Sequence, residues 1–309
     1  MNRVFRKLLV AGIASASLLA GAAHAAEQLP MPVTASFSIL GDLVRSVGGE
    51  RVSVTTLVGP DEDAHAFAPK PADARAIVQT RLLVTNGLGF EPWAQKLAKS
   101  AGYKGQTLVA SQGVKPRVML EEKGHADKGR HSDETDPHAW QNPDNVAQYV
   151  RNIAAALSQV DPAGSAVYQA NSVAYIKELQ TLDAWTQAQF AAIPAAKRKV
   201  ITSHDSFGYF AAHYQISFLA PQGVSTDAEP SARDVAQLIK QIQREKIKAV
   251  FVENMSNPKL LAQLARDAGV TVGPALYVDA LSTKGGPADS YLKLMRHNVT
   301  QLAAGMRAN

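Results

Sequence analysis

Cysteine is absent from all 309 residues. Its absence excludes disulfides, thiolate metal sites and attachment of a lipid to an N-terminal cysteine. Long apolar runs are equally scarce: apart from residues 8–22, too short to span a bilayer, nothing approaches the roughly eighteen residues that a transmembrane helix needs. No basic run is interleaved with aromatic residues, so nucleic acid is not an expected partner. Low-complexity tracts, short repeats and a local H-E-x-x-H metal motif are also missing.

What is present suits a globular protein. A hydrophobic content of 46% with 19% charged residues allows two domains with proper cores in a chain of this length. Arg3, Arg6 and Lys7 precede the apolar run, and Ala23-His24-Ala25 follows it, the pattern of a secretory signal cleaved after Ala25. Export without a lipid-anchor cysteine leads to the expectation of a free protein of the bacterial periplasm. The formal charge of +5 includes those three basic residues and no acidic ones from residues 1–25, so +2 remains for residues 26–309.

Residues 33–39, 52–58, 81–85 and 107–109 read as strands, with helices at 40–47, 72–78 and 92–98. The alternation implies βα units and a parallel sheet. A second set follows: strands at 199–202, 216–219, 249–252 and 274–278, helices at 207–213, 232–246, 258–268 and 288–306. Between the two sets a single helix of about 45 Å is predicted over residues 161–193. Asp161 is placed as its N-cap, Pro162 at its first position, and Tyr168, Tyr175, Leu179, Leu182 and Phe190 on one face. The expected organisation is a signal peptide (1–25), an N-terminal α/β lobe (26–160), a linker helix (161–193) and a C-terminal α/β lobe (194–309). Residues 120–136, rich in His, Asp and Glu and without apolar period, read as a mobile loop.

In open parallel sheets, ligands bind beyond the carboxyl ends of the strands. His65 lies in the loop after the strand 52–58, His204 follows the strand 199–202, and Asp279 follows 274–278. His138, in Asp136-Pro137-His138-Ala139-Trp140, precedes a helix starting near Pro143. Four donors from separate places converge on the cleft between lobes in this arrangement. Three imidazoles and one carboxylate without thiolates suit zinc in a tetrahedral site. Each histidine taken alone is also satisfied by surface or core hydrogen bonding. Asp205 is a candidate to hold a ligand imidazole; Glu253, which follows a strand, is a candidate for a group behind the ligands but reads first as a pairing or capping residue. Asp61, Glu62 and Asp63 read as a source of negative potential at the cleft mouth or as a solvated turn. Gly87-Leu88-Gly89 lacks the third glycine of a dinucleotide fingerprint. Trp140 and Phe210 read as packing residues, His213 and His297 as structural.

The strings from Gly59-Pro60 to Pro69, Asn86-Gly87-Leu88-Gly89-Phe90-Glu91-Pro92-Trp93, Asp136-Pro137-His138-Ala139-Trp140, Ser203-His204-Asp205-Ser206-Phe207-Gly208-Tyr209-Phe210, Ala228-Glu229-Pro230-Ser231 and Phe251-Val252-Glu253 together resemble one family. It is the zinc and manganese solute-binding proteins of ABC importers, the cluster A-I or zinc-uptake type, and the resemblance covers essentially the whole chain after residue 25. It implies an α/β fold of two (β/α)4 lobes with parallel sheets, joined by a long rigid backbone helix, with metal in the interlobe cleft. It also implies that His65, His138 and His204 are imidazole ligands and Asp279 the carboxylate. Manganese-type members carry a carboxylate where this chain has His204, so the resemblance favours zinc. The chain departs from the pattern at Ala64, where proline is usual, at Ala66-Phe67, and in lacking the cysteine pair of some zinc-type members. The loop before Asp136 resembles a shortened form of the family's His-rich loop.

The resulting expectation is a periplasmic protein that captures Zn2+ with high affinity and delivers it to an ABC permease in the inner membrane, without catalysing a reaction. A monomer is expected, with a periplasmic zinc donor as a second candidate partner. The alternatives are a secreted zinc hydrolase, which needs an open metal position and a base such as Asp205 or Glu253, a zinc buffer without a transporter, and a manganese-specific member of the same family.

Overall fold

The computed structural model describes residues 29–118, 135–226 and 230–309; the predicted leader and most of the histidine-containing loop lie outside them. From Met31 the chain alternates β1 (Met31–Phe37), α1 (Ser38–Gly48), β2 (Val52–Val58), α2 (Pro71–Gln79), β3 (Leu82–Thr85), α3 (Pro92–Ser100) and β4 (Gln106–Val109). The strands form one parallel sheet in the order β2-β1-β3-β4. β1 and β3 are almost wholly buried, the mark of strands covered on both faces.

A short antiparallel pair, β5 (Arg117–Val118) and β6 (Thr135–Asp136), follows, then α4 (Pro143–Val160) and α5 (Ser165–Ala191). The loop expected over residues 120–136 therefore ends in a strand. After α5 come β7 (Lys199–Ile201), α6 (Gly208–Tyr214), β8 (Ser217–Leu219), α7 (Ala232–Glu245), β9 (Val250–Glu253), α8 (Pro258–Ala268), β10 (Val272–Leu276) and α9 (Tyr291–Ala308). The second sheet, also parallel, runs β10-β9-β7-β8. Counted from its own first strand, this is the order of the first sheet. Each lobe thus has its order reversal beside its first strand, between β1 and β3 and between β7 and β9, where a crevice opens at the carboxyl ends.

α5 is 27 residues, about 40 Å. It buries Tyr168, Ser172, Tyr175, Leu179, Leu182, Thr186 and Phe190, three or four residues apart, on one stripe. Its start differs from the sequence expectation. Residues Pro162–Gly164 form a 3-10 turn, and the Asp161 carboxylate mainly serves other partners: it accepts from Arg51 Nε (3.0 Å) and Nη2 (2.8 Å) and from the Tyr168 hydroxyl (2.6 Å). Burial opposes its charge, but Tyr168 and Arg51 hold the carboxyl below its usual range.

One apolar core runs from β1 through α4 and α5 to α9, with Phe37, Tyr149, Leu182 and Leu294 among its members. A smaller one sits under α7 and α8 around Leu238, Ile242 and Leu264. Across the lobes the Tyr291 hydroxyl donates to Trp140 O (2.8 Å) and Trp140 Nε1 donates to Val278 O (3.0 Å). The last strand is earlier than predicted from sequence. A register shift between Gly273 and Leu276 ends β10 at Leu276, so Asp279 stands three residues beyond it rather than directly after it.

Candidate metal centre

The four predicted residues meet at one point. One donor atom from each of His65, His138, His204 and Asp279 lies within 4.8 Å of all the others. His65 comes from the irregular loop 59–70 after β2, His138 from just past β6, His204 from three residues past β7, and Asp279 from the segment after β10. Nε2 of His138 is 3.2 Å from Nε2 of His65 and 3.3 Å from Nε2 of His204. The Asp279 oxygens lie 3.4 Å from Nε2 of His65, 3.3 Å from that of His204 and 3.7 Å from that of His138. Four donors around an ion at ~2.0–2.1 Å, tetrahedrally placed, are separated by about 3.3 Å.

Local chemistry fixes the orientation of two rings. His138 Nδ1 bonds Asp136 Oδ1 (2.9 Å), and the His138 backbone N–H donates to the same oxygen (3.0 Å). His204 Nδ1 bonds Glu253 Oε2, while Glu253 Oε1 accepts from the backbone N–H groups of Ser203 (3.0 Å) and His204 (3.1 Å). A carboxylate at Nδ1 selects the tautomer whose Nε2 lone pair is free, and in both rings Nε2 faces the centre. Asp205, the residue expected to hold an imidazole, does not do so. Its backbone N–H donates to Gln222 O and Gly223 O, and burial, with Asp136 nearby, pushes its carboxyl up.

One backing carboxylate had a local sequence signal; the other is placed by strand pairing. Asp136 stands two residues before His138, a spacing at which one carboxylate reaches ring and backbone together. Glu253 is level with His204 because Ile201 pairs with Val250 in parallel register, three residues before each.

The centre is enclosed. His138, His204 and Asp279 are fully buried, and both Asp279 oxygens lack a hydrogen-bond donor among the described residues. Burial disfavours the Asp279 charge, yet His138 and His204 hold its carboxyl well below the usual range. Burial likewise opposes a charged His204, yet Glu253 and Asp279 raise its imidazole well above the ordinary value. Phe90 and Trp140 wall the rings, the Phe90 centroid 4.7 Å from that of His65 and Trp140 5.2 Å from His138. Of the four, His65 alone faces a cavity of about 530 Å³, lined also by Leu88, Gly89, Phe90, Pro137 and Val224. The Gly87-Leu88-Gly89 loop, with φ of 83°, 56° and 81°, shapes that mouth. His213 bonds Asp183 (2.8 Å) and His297 bonds Ala275 O (2.9 Å), both away from the centre.

The family model described as "Zinc-uptake complex component A periplasmic" matches residues 33–305. The chain belongs to this family. Among its relatives, the manganese-binding lipoprotein MntA of Halalkalibacterium halodurans is 31% identical over 276 residues, covering 89% of this chain and 88% of that protein. The manganese ABC transporter substrate-binding lipoprotein PsaA of Streptococcus pneumoniae is 28% identical, with 89% of each chain covered. The Mn-bound periplasmic metal-binding protein of Candidatus Liberibacter asiaticus superposes with a TM-score of 0.78 at 28% identity, over 89% of this chain and 99% of that one. The periplasmic zinc-binding protein TroA of Treponema pallidum shares the fold, with a TM-score of 0.81 over 90% of this chain and 99% of that one at 24% identity.

As a member of the zinc-uptake component A family, the chain is a metal-binding, substrate-binding protein of an ABC transporter, not an enzyme, and the hydrolase alternative falls. Such proteins work with a permease and an ATPase in the inner membrane. One expectation is corrected. A free periplasmic protein was inferred from the missing anchor cysteine, but the relatives MntA and PsaA are named lipoproteins, so that localisation does not stand, although a place outside the cytoplasm fits. A missing cysteine bears on one mode of lipid attachment and does not by itself fix where an exported protein resides.

Proposed function

We propose that this protein captures Zn2+ through His65, His138, His204 and Asp279, as four protein ligands, and hands it to its permease. The observation that carries the proposal is the enclosed His3Asp cluster, with donor separations of 3.2–3.7 Å and two Asp279 oxygens without a donor among the described residues. Three nitrogens in a tight shell favour zinc over manganese, which binds nitrogen-rich sites more weakly and suits oxygen donors. Manganese is the second reading, favoured by the names of the relatives. In structural terms, His204 is the residue that decides between them, because a carboxylate there would give a site of two nitrogens and two carboxylates. The two lobes form the N-terminal and C-terminal units on either side of α5, and the protein acts as a monomer that also accepts zinc from a donor.

The test is a competition titration of chelator-stripped protein with zinc and manganese, on the wild type, Asp279→Ala and His204→Glu. One tight zinc per chain is expected, preferred over manganese, weakened by Asp279→Ala, with the preference narrowed by His204→Glu. Zinc binding indifferent to both substitutions would remove these residues from the site, and a wild-type preference for manganese would select the second reading.

A further inference from the structure

The loop 59–70, which carries His65, has no regular secondary structure, yet among the described residues it is bonded to the opposite lobe at three points. The Asp61 backbone N–H donates to Leu281 O (3.0 Å), Asn254 Nδ2 donates to Asp61 Oδ1 (2.8 Å), and the Thr226 hydroxyl donates to Asp63 Oδ2 (2.7 Å). The third bond differs in kind. The other oxygen of the same carboxylate, Asp63 Oδ1, accepts the backbone N–H of His65 at 2.8 Å. One side chain therefore joins the His65 backbone to a hydroxyl of the C-terminal lobe.

Thr226 is itself tied back to the metal centre. Its segment begins at Gln222, which forms a parallel bridge with His204, and the Asp205 backbone N–H donates to Gln222 O (3.2 Å) and Gly223 O (3.1 Å). A continuous path of bonds then runs from His204 through residues 222–226 and Asp63 to His65, outside the centre itself. It passes the mouth of the cavity that His65 faces, to which Val224 and Ser225 also contribute. Carboxylates hold the rings of His138 and His204, whereas His65 is placed through its backbone.

We infer that Asp63 is a positioning residue for metal release: through Thr226 it makes the position of His65 depend on the opposite lobe, so that the ion leaves when this bond breaks. The inference rests on the reading of His65 and His204 as ligands. Thr226→Val keeps the shape and removes the donor, Asp63→Asn removes the charge of the acceptor, and Thr226→Ser retains the hydroxyl. A hydrogen bond to a charged group at this strength corresponds to about tenfold or more in an equilibrium or rate.

The experiment is chelator-driven release of zinc from the full chain followed by stopped flow, alongside denaturant unfolding of the metal-free forms. Thr226→Val and Asp63→Asn are each expected to speed release about tenfold, the double variant no more than the faster single one, and Thr226→Ser to behave as wild type, all with unfolding midpoints of the metal-free proteins unchanged. Wild-type release from Thr226→Val, or single effects that multiply in the double variant, would overturn the inference. His65→Ala is run in parallel: undiminished zinc retention there would defeat the ligand assignment itself, a different failure.

Discussion

Glu253 gathers four donors: the backbone N–H groups of Ser203 and His204, Nδ1 of His204 and the Ser256 hydroxyl (3.3 Å). In Glu253→Gln an amide can keep the two backbone bonds on its oxygen, but then its NH2 faces Nδ1. Nδ1 must become an acceptor, which moves the ring proton to Nε2, the atom that faces the centre. The expected result is a 10–100-fold loss of zinc affinity by competition titration with the fold retained; unchanged affinity would show that the tautomer is set elsewhere. Glu91 is a second buried carboxylate, 4% exposed, accepting from Ser36 Oγ (2.8 Å) and from the backbone of Asn86 and Gly87. Burial outweighs these donors and pushes its carboxyl up to about 6, from 4.5. Between those values the folded state binds the proton more tightly than the unfolded chain, so stability falls as pH rises through this window. Urea unfolding of metal-free wild type and Glu91→Gln should show the wild type losing about 1.5 kcal/mol relative to the variant between roughly pH 4.5 and 6.5. A difference independent of pH would mean that Glu91 titrates alike in both states.

The first residue of α6 abuts the opposite lobe's chemistry. A Cβ added at Gly208, its first residue, would stand 2.1 Å from Arg117 Nη1 and 2.3 Å from Asp136 Oδ2. The arginine end can swing aside, but Asp136 is fully buried and holds His138. Alanine suits a helix better than glycine by up to ~1 kcal/mol, so Gly208→Ala is not expected to harm the helix itself. It should instead displace Asp136 or hold the lobes apart, weakening zinc binding at least tenfold while helix content by circular dichroism is unchanged; wild-type affinity would show that the interface yields. Such long-range approaches explain where sequence reading stopped. β2 and α8 were legible residue for residue, because a β-branched run marks the one, and Pro258 at the start and Gly269 in the left-handed conformation at the end mark the other. Of the four clustered residues, His65, His204 and Asp279 were legible because they follow strands, and His138 through its place ahead of a helix that starts at Pro143. The register of β10, which lies two residues earlier than its sequence pattern, the partner of Asp161 110 residues away at Arg51, and the choice of Glu253 over Asp205 depend on packing between segments distant in sequence, which no local pattern encodes.

For the whole molecule, ion capture and proton binding compete for the same atoms. In the metal-free protein burial works against a charged His204, but Glu253 and Asp279 win and raise its imidazole well above the usual histidine range. The raised value contributes stability to the metal-free fold that is fully present below the ordinary histidine range, ~6.5, and is lost as pH rises through the folded value. Metal coordination requires the opposite state, a neutral ring with Nε2 free. Zinc binding near pH 7 must therefore expel a proton from His204, and affinity should fall by about one log unit per pH unit as pH decreases while that proton remains bound. Calorimetric titration with zinc in two buffers of different ionisation enthalpy measures the number released: about one proton is expected at pH 7 in the wild type and markedly less in His204→Glu. Release of none from the wild type would mean that the ring is already neutral in the free protein.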